Sequence, residues 1–429
     1  MKNLSIAVGL ILASLLIAPK FIGAMVESER EKVLVNLNET DGITLTTSQY
    51  HTGWFGADVT SELTIALEED GLTDITLSLE EELTFGPVII TSQGWHLGLG
   101  YSAVKFKFSA VEVDEEIIKL INEKIHLGAL LSFNKDVTSF IKTDEMSYQD
   151  GESTLVSAPA SAQFTLTDNA SIAGDFSWGG LKFEELGERF VLGKVAMSTE
   201  QKVVSGDYLQ GTAILTGDAS FIVEKIDMYS QASHVFSLHG AGLTTTVSLD
   251  NNLLALTLSY YAKSISASGQ NFEKPNLDIV LANIDIHALQ ELNTTMANMP
   301  VNALDSASSE EILQALSAVA EKVLANNPSL KVTDLSIVTD EGKIASELNF
   351  TINKDLFDMS NVNSMAFIMA LEADAKGKAP IAFLTKLGMA PMVNSFVEQG
   401  YLSKQDNNIS FEAKYLENQL TVNGKAFQL

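Results

Sequence analysis

Two stretches of strict alternation constrain this chain more than any other feature. Ala57, Val59, Leu63, Ile65 and Leu67 fall on one side of a period of two, with Asp58, Thr60, Glu62, Thr64 and Glu68 on the other. Ile75, Leu77, Leu79 and Leu83 repeat the pattern against Thr76, Ser78, Glu80 and Glu82. Successive side chains of a strand point to opposite faces, so each run is a half-buried β-strand whose register cannot slip by one without exposing its apolar set. Asp70-Gly71 between them is a hairpin signal, and Glu80-Glu81-Glu82 reads as a solvated strand edge. Val104–Phe108 and most of residues 164–269 continue in strand style, with Leu254, Leu256, Leu258 and Tyr260 on one face and a turn at Phe176-Ser177-Trp178-Gly179-Gly180. The expected fold is therefore α+β and predominantly antiparallel β, an elongated or curved β-rich body.

Helical periodicity is rarer. Asp114 opens a short amphipathic helix. Asp285–Met299, Ser309–Asn326 and Pro380–Gln399 read as helices, which places most of the helical content in the C-terminal third. Ser308 and Glu311 form a capping box for the second, and Asn326-Asn327-Pro328 stops it. Strands return over Leu335–Ile352, broken at Asp340-Glu341-Gly342. Met365, Phe367, Met369, Leu371 and Ala373 read as a further strand, and Ile409–Gln428 as a closing hairpin around Glu417-Asn418. Without repeats or linkers the division is soft: 1–26, a β-rich region 27–282 and a mixed region 283–429, or one continuous domain after the N-terminal segment.

That segment runs almost wholly apolar from Leu4 to Ala18, is interrupted by Pro19-Lys20, continues from Phe21 to Val26 and ends at Glu27-Ser28-Glu29-Arg30-Glu31. It has the length of a transmembrane anchor if Lys20 snorkels to the interface. Cleavage as a signal peptide after Ala24 would leave the bulky Ile22 at position −3. Either reading puts the bulk of the chain outside the cytoplasm, as an inner-membrane protein held through residues 4–26 or as a soluble periplasmic one.

Composition excludes several function classes. Asp and Glu number 55 against 27 Lys and Arg, a net charge of −28, which repels nucleic acid. With no cysteine there are no disulfides, thiolate metal sites or Cys nucleophiles. The only arginines are Arg30 and Arg189, so clustered bidentate anion recognition is not expected. The six histidines (His51, His96, His126, His234, His239 and His287) form no HExxH pair and have no acidic partner at ligand spacing; His234 and His239 would face opposite ways on a strand. There is no GxSxG elbow or phosphate loop, and Gly94-Trp95-His96-Leu97-Gly98-Leu99-Gly100 does not match a dinucleotide motif. No catalytic residue, metal ligand or cofactor is expected, and the protein is expected not to be an enzyme.

A set of small motifs recurs in a recognisable order. It comprises Tyr50-His51-Thr52-Gly53-Trp54-Phe55, Gly86-Pro87, Trp178-Gly179-Gly180, Asn327-Pro328 and Leu420 to Lys425 with Asn423-Gly424. Over essentially its whole length the chain resembles the YdgA-like family of bacterial proteins, also called DUF945. The resemblance implies a single-pass inner-membrane protein of Gram-negative bacteria with a periplasmic body and no established biochemical function. A His often precedes the Gly-Pro in such proteins; here it is Phe85, which counts against an enzymatic role for that motif. The signature residues Tyr50, Gly53, Trp54, Phe55, Gly86, Pro87, Trp178, Gly179, Asn327, Pro328, Asn423 and Gly424 are expected to be structural, as turns and packing aromatics.

Two functions fit an anchored β-rich body. A curved sheet with an apolar inner face would hold apolar or lipid ligands; AsmA-type envelope proteins share, at fold level, the plan of one N-terminal anchor and a β-rich periplasmic mass. Alternatively the helices, with Met296, Met299, Met389 and Met392, would form a self-association or scaffold surface toward another envelope protein or a second copy. An enzyme of unrecognised type is the third option.

Overall fold

The computed structural model describes the chain apart from residues 1–17, 29, 32–33, 36–37, 39–41, 67–74, 92–93, 110–114, 168–169, 208–211, 232, 268, 298–318, 320–321, 358–363 and 428–429. Its described part is mostly antiparallel β-structure in two compact units. Unit 1 comprises residues 1–183 and 198–200; unit 2 comprises 184–197 and 201–429. Residue 282 lies within a strand that runs from Gln270 to Asp285.

Unit 1 opens with helix α1 (residues 18–28). The strands follow as β1 (Ile43–Thr52), β2 (Gly56–Ile65), β3 (Ile75–Phe85), β4 (Val88–Thr91), β5 (Gly94–Leu97) and β6 (Gly100–Ser109). After helix α2 (Glu115–Lys124) come β7 (Ile125–Leu131), β8 (Val137–Thr143), β9 (Met146–Asp150), β10 (Ser153–Ser157), β11 (Ala160–Leu166), β12 (Ser171–Trp178) and β13 (Leu181–Glu185, partly in unit 2). The main ladder runs β1-β2-β3-β6-β7-β8-β11-β12, antiparallel throughout. β9 and β10 form a hairpin, and β4 and β5 a separate two-stranded sheet.

The alternation of β2 holds: Ala57, Val59 and Ser61 are buried in turn. Ile22 and Val26 of α1 join Ala57, Val59, Leu83 and Phe85 in one core cluster. The spacing of Ile22 and Val26 is one helical turn, so α1 lays a single apolar stripe on the sheet. Glu80–Glu82 do not form an edge, because β3 is paired on both sides and Glu81 lies in the interior of the sheet face. The turn expected at 176–180 begins only at Gly179, since β12 extends through Trp178. The Asp70-Gly71 turn lies outside the described residues.

Unit 2 contains β14 (Glu188–Leu192), β15 (Val195–Ser205, partly in unit 1), β16 (Ile214–Ser230), β17 (Ser233–Asp250), β18 (Leu253–Tyr261), β19 (Ser264–Ala267) and β20 (Gln270–Asp285). Helix α3 (Ile286–Ala297), β21 (Ser329–Thr339) and β22 (Gly342–Ile352) follow, then α4 (Ser364–Ala370), β23 (Leu371–Pro380), α5 (Ile381–Lys386) and α6 (Ala390–Gln399). The chain ends in β24 (Ser403–Gln405), β25 (Asn408–Leu416), β26 (Gln419–Val422) and β27 (Lys425–Ala426). The ladder runs β14-β16-β17, then β18 and β19 side by side between β17 and β20, then β21-β22-β23-β25-β26-β27.

Asp285 caps α3, its Oδ1 accepting from the backbone N–H groups of His287 and Ala288. The expected strand over 365–373 is instead α4 followed by β23. Ala366 and Ala370, one turn apart, are buried with Leu324 and Phe357, and that four-residue period overrides the apparent alternation. The single helix expected over Pro380–Gln399 is broken in two by Leu387-Gly388-Met389, where Gly388 has φ +77°. Most of the expected helix 309–326 lies outside the described residues. Helices also occur outside the C-terminal third, as α1 and α2. Among the described residues no helix is long and apolar enough to cross a membrane, and residues 1–17 are not among them.

Candidate functional site

Three neighbouring strands of unit 2 lose their regularity along one line. β17 carries Gly240 at φ +56°, β18 gives way to β19 between Tyr261 and Ser264, and β20 carries Lys274 at φ +49°. The Lys263 N–H donates to the His239 carbonyl and the Lys274 N–H to the Lys263 carbonyl, so the three irregular points lie side by side. Register shifts follow at Glu273/Asn276 in the β20–β21 ladder and Val332/Leu335 in the β21–β22 ladder. Extra residues in a ladder bend the strand and increase its twist, and aligned across neighbours they crease the sheet.

An open groove of about 590 Å³ lies along this crease. Leu238, Ala241 and Gly242 of β17, Tyr260 and Tyr261 of β18, Ile265 of β19, Pro275 to Leu277 of β20, Leu335 to Ile337 of β21 and Ile344 of β22 line it, together with Ala262. None of these residues carries a charge. Gly242 stands opposite Tyr261, whose ring occupies the space a Cβ would need, so the aromatic lies across β17. The arrangement can take up apolar groups and offers little to ions. Nothing in the linear sequence marks it, because its lining comes from six strands.

A polar cluster occupies β16 and β17 nearby. The β16–β17 register advances by one residue between Met228 and Tyr229, with Val235 as the extra residue. That bulge reverses the facing of His234 relative to a regular strand, so His234 and His239 share a face, contrary to the expectation from their odd spacing. Both imidazoles reach one acid: His239 Nε2 lies 3.1 Å and His234 Nε2 3.6 Å from Asp227 Oδ1, and Lys225 Nζ lies 3.3 Å from Oδ2. The acidic partner that sequence spacing did not supply thus comes from the neighbouring strand. In the next cross-strand row the Arg189 guanidinium sits 4.0 Å from the centre of the Tyr229 ring, which packs on His234.

The Asp227 side chain is only 7% exposed. Burial pushes its pKa up, but hydrogen bonds from His239 and Lys225 and the Lys225 charge outweigh this and hold it below the ordinary value. An imidazole held by a carboxylate is the orienting half of a nucleophilic triad; in this cluster one shared acid clamps both histidines of β17 onto β16 across the bulge. Asp227→Asn is expected to cost about 1–2 kcal/mol at pH 7, since the partners are half-exposed and screened. A depressed carboxyl contributes stability above its unfolded pKa, near 3.9, and loses it as pH falls through the folded value. The gap in urea midpoint between wild type and variant should therefore shrink as pH falls below about 4; a gap at pH 3 as large as at pH 5 would rule out the ionised clamp.

The signature residues fall in five places. Tyr50 ends against the α1 core, where burial, followed by Glu27, raises its pKa. The Gly53-Trp54-Phe55 turn and Gly86-Pro87 are brought together, the Phe85 N–H donating to the Phe55 carbonyl and the Gly86 N–H to that of Leu99. Trp178 donates Nε1–H to Ser157 Oγ, and the Gly179 N–H bonds to the Pro159 carbonyl. Asn327, at φ +50°, precedes Pro328 and accepts the Lys354 N–H on its side chain. Asn423-Gly424 turns β26 into β27, and the Asn423 side chain ties the Glu412 N–H to the Tyr401 carbonyl. Trp178 belongs to unit 1 and the two asparagine turns to unit 2.

Among the described residues no group of His, Asp and Glu is arranged to hold a metal ion. A comparison with curated proteins gives no match. A family model described as a bacterial protein of unknown function matches residues 1–429, and the chain belongs to that family, DUF945.

Proposed function

We propose that this protein is a non-enzymatic binding protein of the bacterial envelope, held at the inner membrane by its N-terminal segment with its body in the periplasm. Its ligand is the apolar part of a lipid, received in the creased groove of unit 2. The observation that carries this reading is the groove itself: about 590 Å³, free of charged lining in a chain of net charge −28, and within the size range of small-molecule sites. Each methylene that leaves water there gains about 0.8 kcal/mol. The packing of Ile22, Gly23 and Val26 against the sheet supports retention of the N-terminal segment, because cleavage after Ala24 would strip two of these from the core.

The test is photo-crosslinking of the full chain, reconstituted in vesicles containing a phospholipid with a diazirine in its acyl chain. Labelled peptides are expected from 238–277 and 335–344. Ile337→Asp should reduce that labelling about tenfold, equivalent to about 1.4 kcal/mol. Label confined to the N-terminal segment, or unaffected by Ile337→Asp, would remove the groove from the proposal. Exposed Leu387 and Met392 favour the scaffold alternative, which predicts a discrete oligomer with no groove label.

A further inference from the structure

The β4–β5 sheet is two-faced in an unusual way. Its inner face is already packed: Ile89 is fully buried, and His96 stacks on Tyr101 with ring centres 5.4 Å apart. Its outer face consists of two cross-strand pairs, Val88 with Leu97 and Ile90 with Trp95. These are large apolar side chains, exposed by 45%, 54%, 79% and 71%. Exposed strand pairs are ordinarily guarded by charge, yet no Asp, Glu, Lys or Arg occurs from Phe85 to Val104 in so acidic a chain. A contiguous patch of this kind marks an interaction surface.

Its surroundings identify the partner. Hydrogen bonds from the Gly86 N–H to the Leu99 carbonyl and from the Gly98 N–H to the Pro87 carbonyl close the base of the hairpin. At that base α1 is seated, with Gly23 against the Phe85 ring and Val26 against Gly100. The outer side of α1 exposes Phe21 and Met25, and the turn bonded to Phe85 exposes Trp54 and Phe55. The apolar run Leu4–Ala18 leads directly into α1. Because Ile22, Gly23 and Val26 are committed to the protein, that run is what remains for a bilayer. That run is shorter than the roughly 20 apolar residues needed to cross a hydrocarbon core. A run that short is accommodated by local thinning of the bilayer and snorkelling of flanking residues, which brings the bilayer surface to the attached body, where Trp side chains are favoured and Lys20 can reach the headgroups.

We propose that the outer face of β4–β5, with Trp54, Phe55 and the outer side of α1, is a membrane-embedded wedge. It dips into the leaflet from which the N-terminal segment emerges and fixes the body of unit 1 against the bilayer. This rests on the membrane-anchoring part of the function proposed above and is independent of the groove.

Trp54, Trp95 and Trp178 are the three tryptophans of the chain, which allows a direct test. The full-length Trp54→Phe/Trp178→Phe protein, with Trp95 as sole reporter, is reconstituted in phosphatidylethanolamine–phosphatidylglycerol vesicles with and without acyl-chain bromine. Trp54→Phe/Trp95→Phe, reporting from Trp178, is the control. Trp95 emission is expected to fall roughly twofold with bromine near the top of the acyl chain, with Trp178 unchanged. Protein that floats with the vesicles but shows equal bromine quenching at both positions overturns the wedge while leaving the anchor intact. Protein that does not float overturns both. Concentration-dependent shielding of Trp95 from acrylamide without bromine quenching overturns the wedge in favour of a second copy of the chain.

Discussion

Arg30→Ala is expected to lower the stability of unit 1 by about 2–3 kcal/mol. The guanidinium is 15% exposed and divides its donors among three acceptors: Nε to Glu81 Oε2 at 3.1 Å, Nη1 to Thr47 Oγ1 at 3.1 Å and Nη2 to Ser61 Oγ at 3.0 Å. Glu81 also accepts from the Ser102 hydroxyl at 2.7 Å, so the network ties the segment after α1 to β1, β2, β3 and β6. Without Arg30 the half-buried Glu81 carboxylate loses its cation, and the buried Ser61 loses a donor. Arg30→Lys is expected to recover only part of the loss, because one ammonium cannot reproduce a planar fork spanning three acceptors. Urea unfolding followed by Trp fluorescence measures both variants. A lysine variant as stable as wild type would show that charge alone, not the fork, matters here.

Gly86→Ala should be at least as severe, costing about 3 kcal/mol, because a Cβ there would collide with the Gly98 carbonyl, a backbone group that no rotamer change can move aside. The collision falls at the base of the β4–β5 hairpin, where the Gly86 N–H bonds to the Leu99 carbonyl at 2.8 Å. Gly53→Ala, in the adjoining turn, is the matched comparison: its Cβ would approach the Gly56 carbonyl oxygen to 3.3 Å, which a shift of a few tenths of an ångström relieves. Its cost should stay below about 1 kcal/mol. Thermal unfolding of the two variants tests the contrast. If both glycines tolerate alanine equally, the close approach at Gly86 is not a constraint on the fold.

What could be read from the sequence was local. The alternation of Ala57 and Val59 and of Leu254 and Leu256 set strand positions that the structure keeps, because a period of two has only one geometric meaning when one face is buried. Asp285 before an apolar helical stripe, and Glu417-Asn418 between two strands, carry their turn chemistry in the side chains themselves. Met365–Met369 failed the same treatment: alternate and every-fourth apolar residues coexist there, and only the packing of Ala366 and Ala370 on Phe357 selects the helix.

The candidate sites were almost wholly out of reach. The Asp227 cluster depends on one inserted residue at Val235, and the groove on irregularities aligned across neighbouring strands. A bulge is a mismatch in pairing between two strands, even when they are adjacent in a hairpin, so the composition or periodicity of either strand alone does not encode its place. The amino-acid sequence by itself determined the β-rich character, the acidic surface, the apolar N-terminal run and the membership in DUF945. Tertiary structure alone decided which apolar residues are left facing outward at β4–β5 and which line a groove. Exposure is what remains after every other face has found its partner.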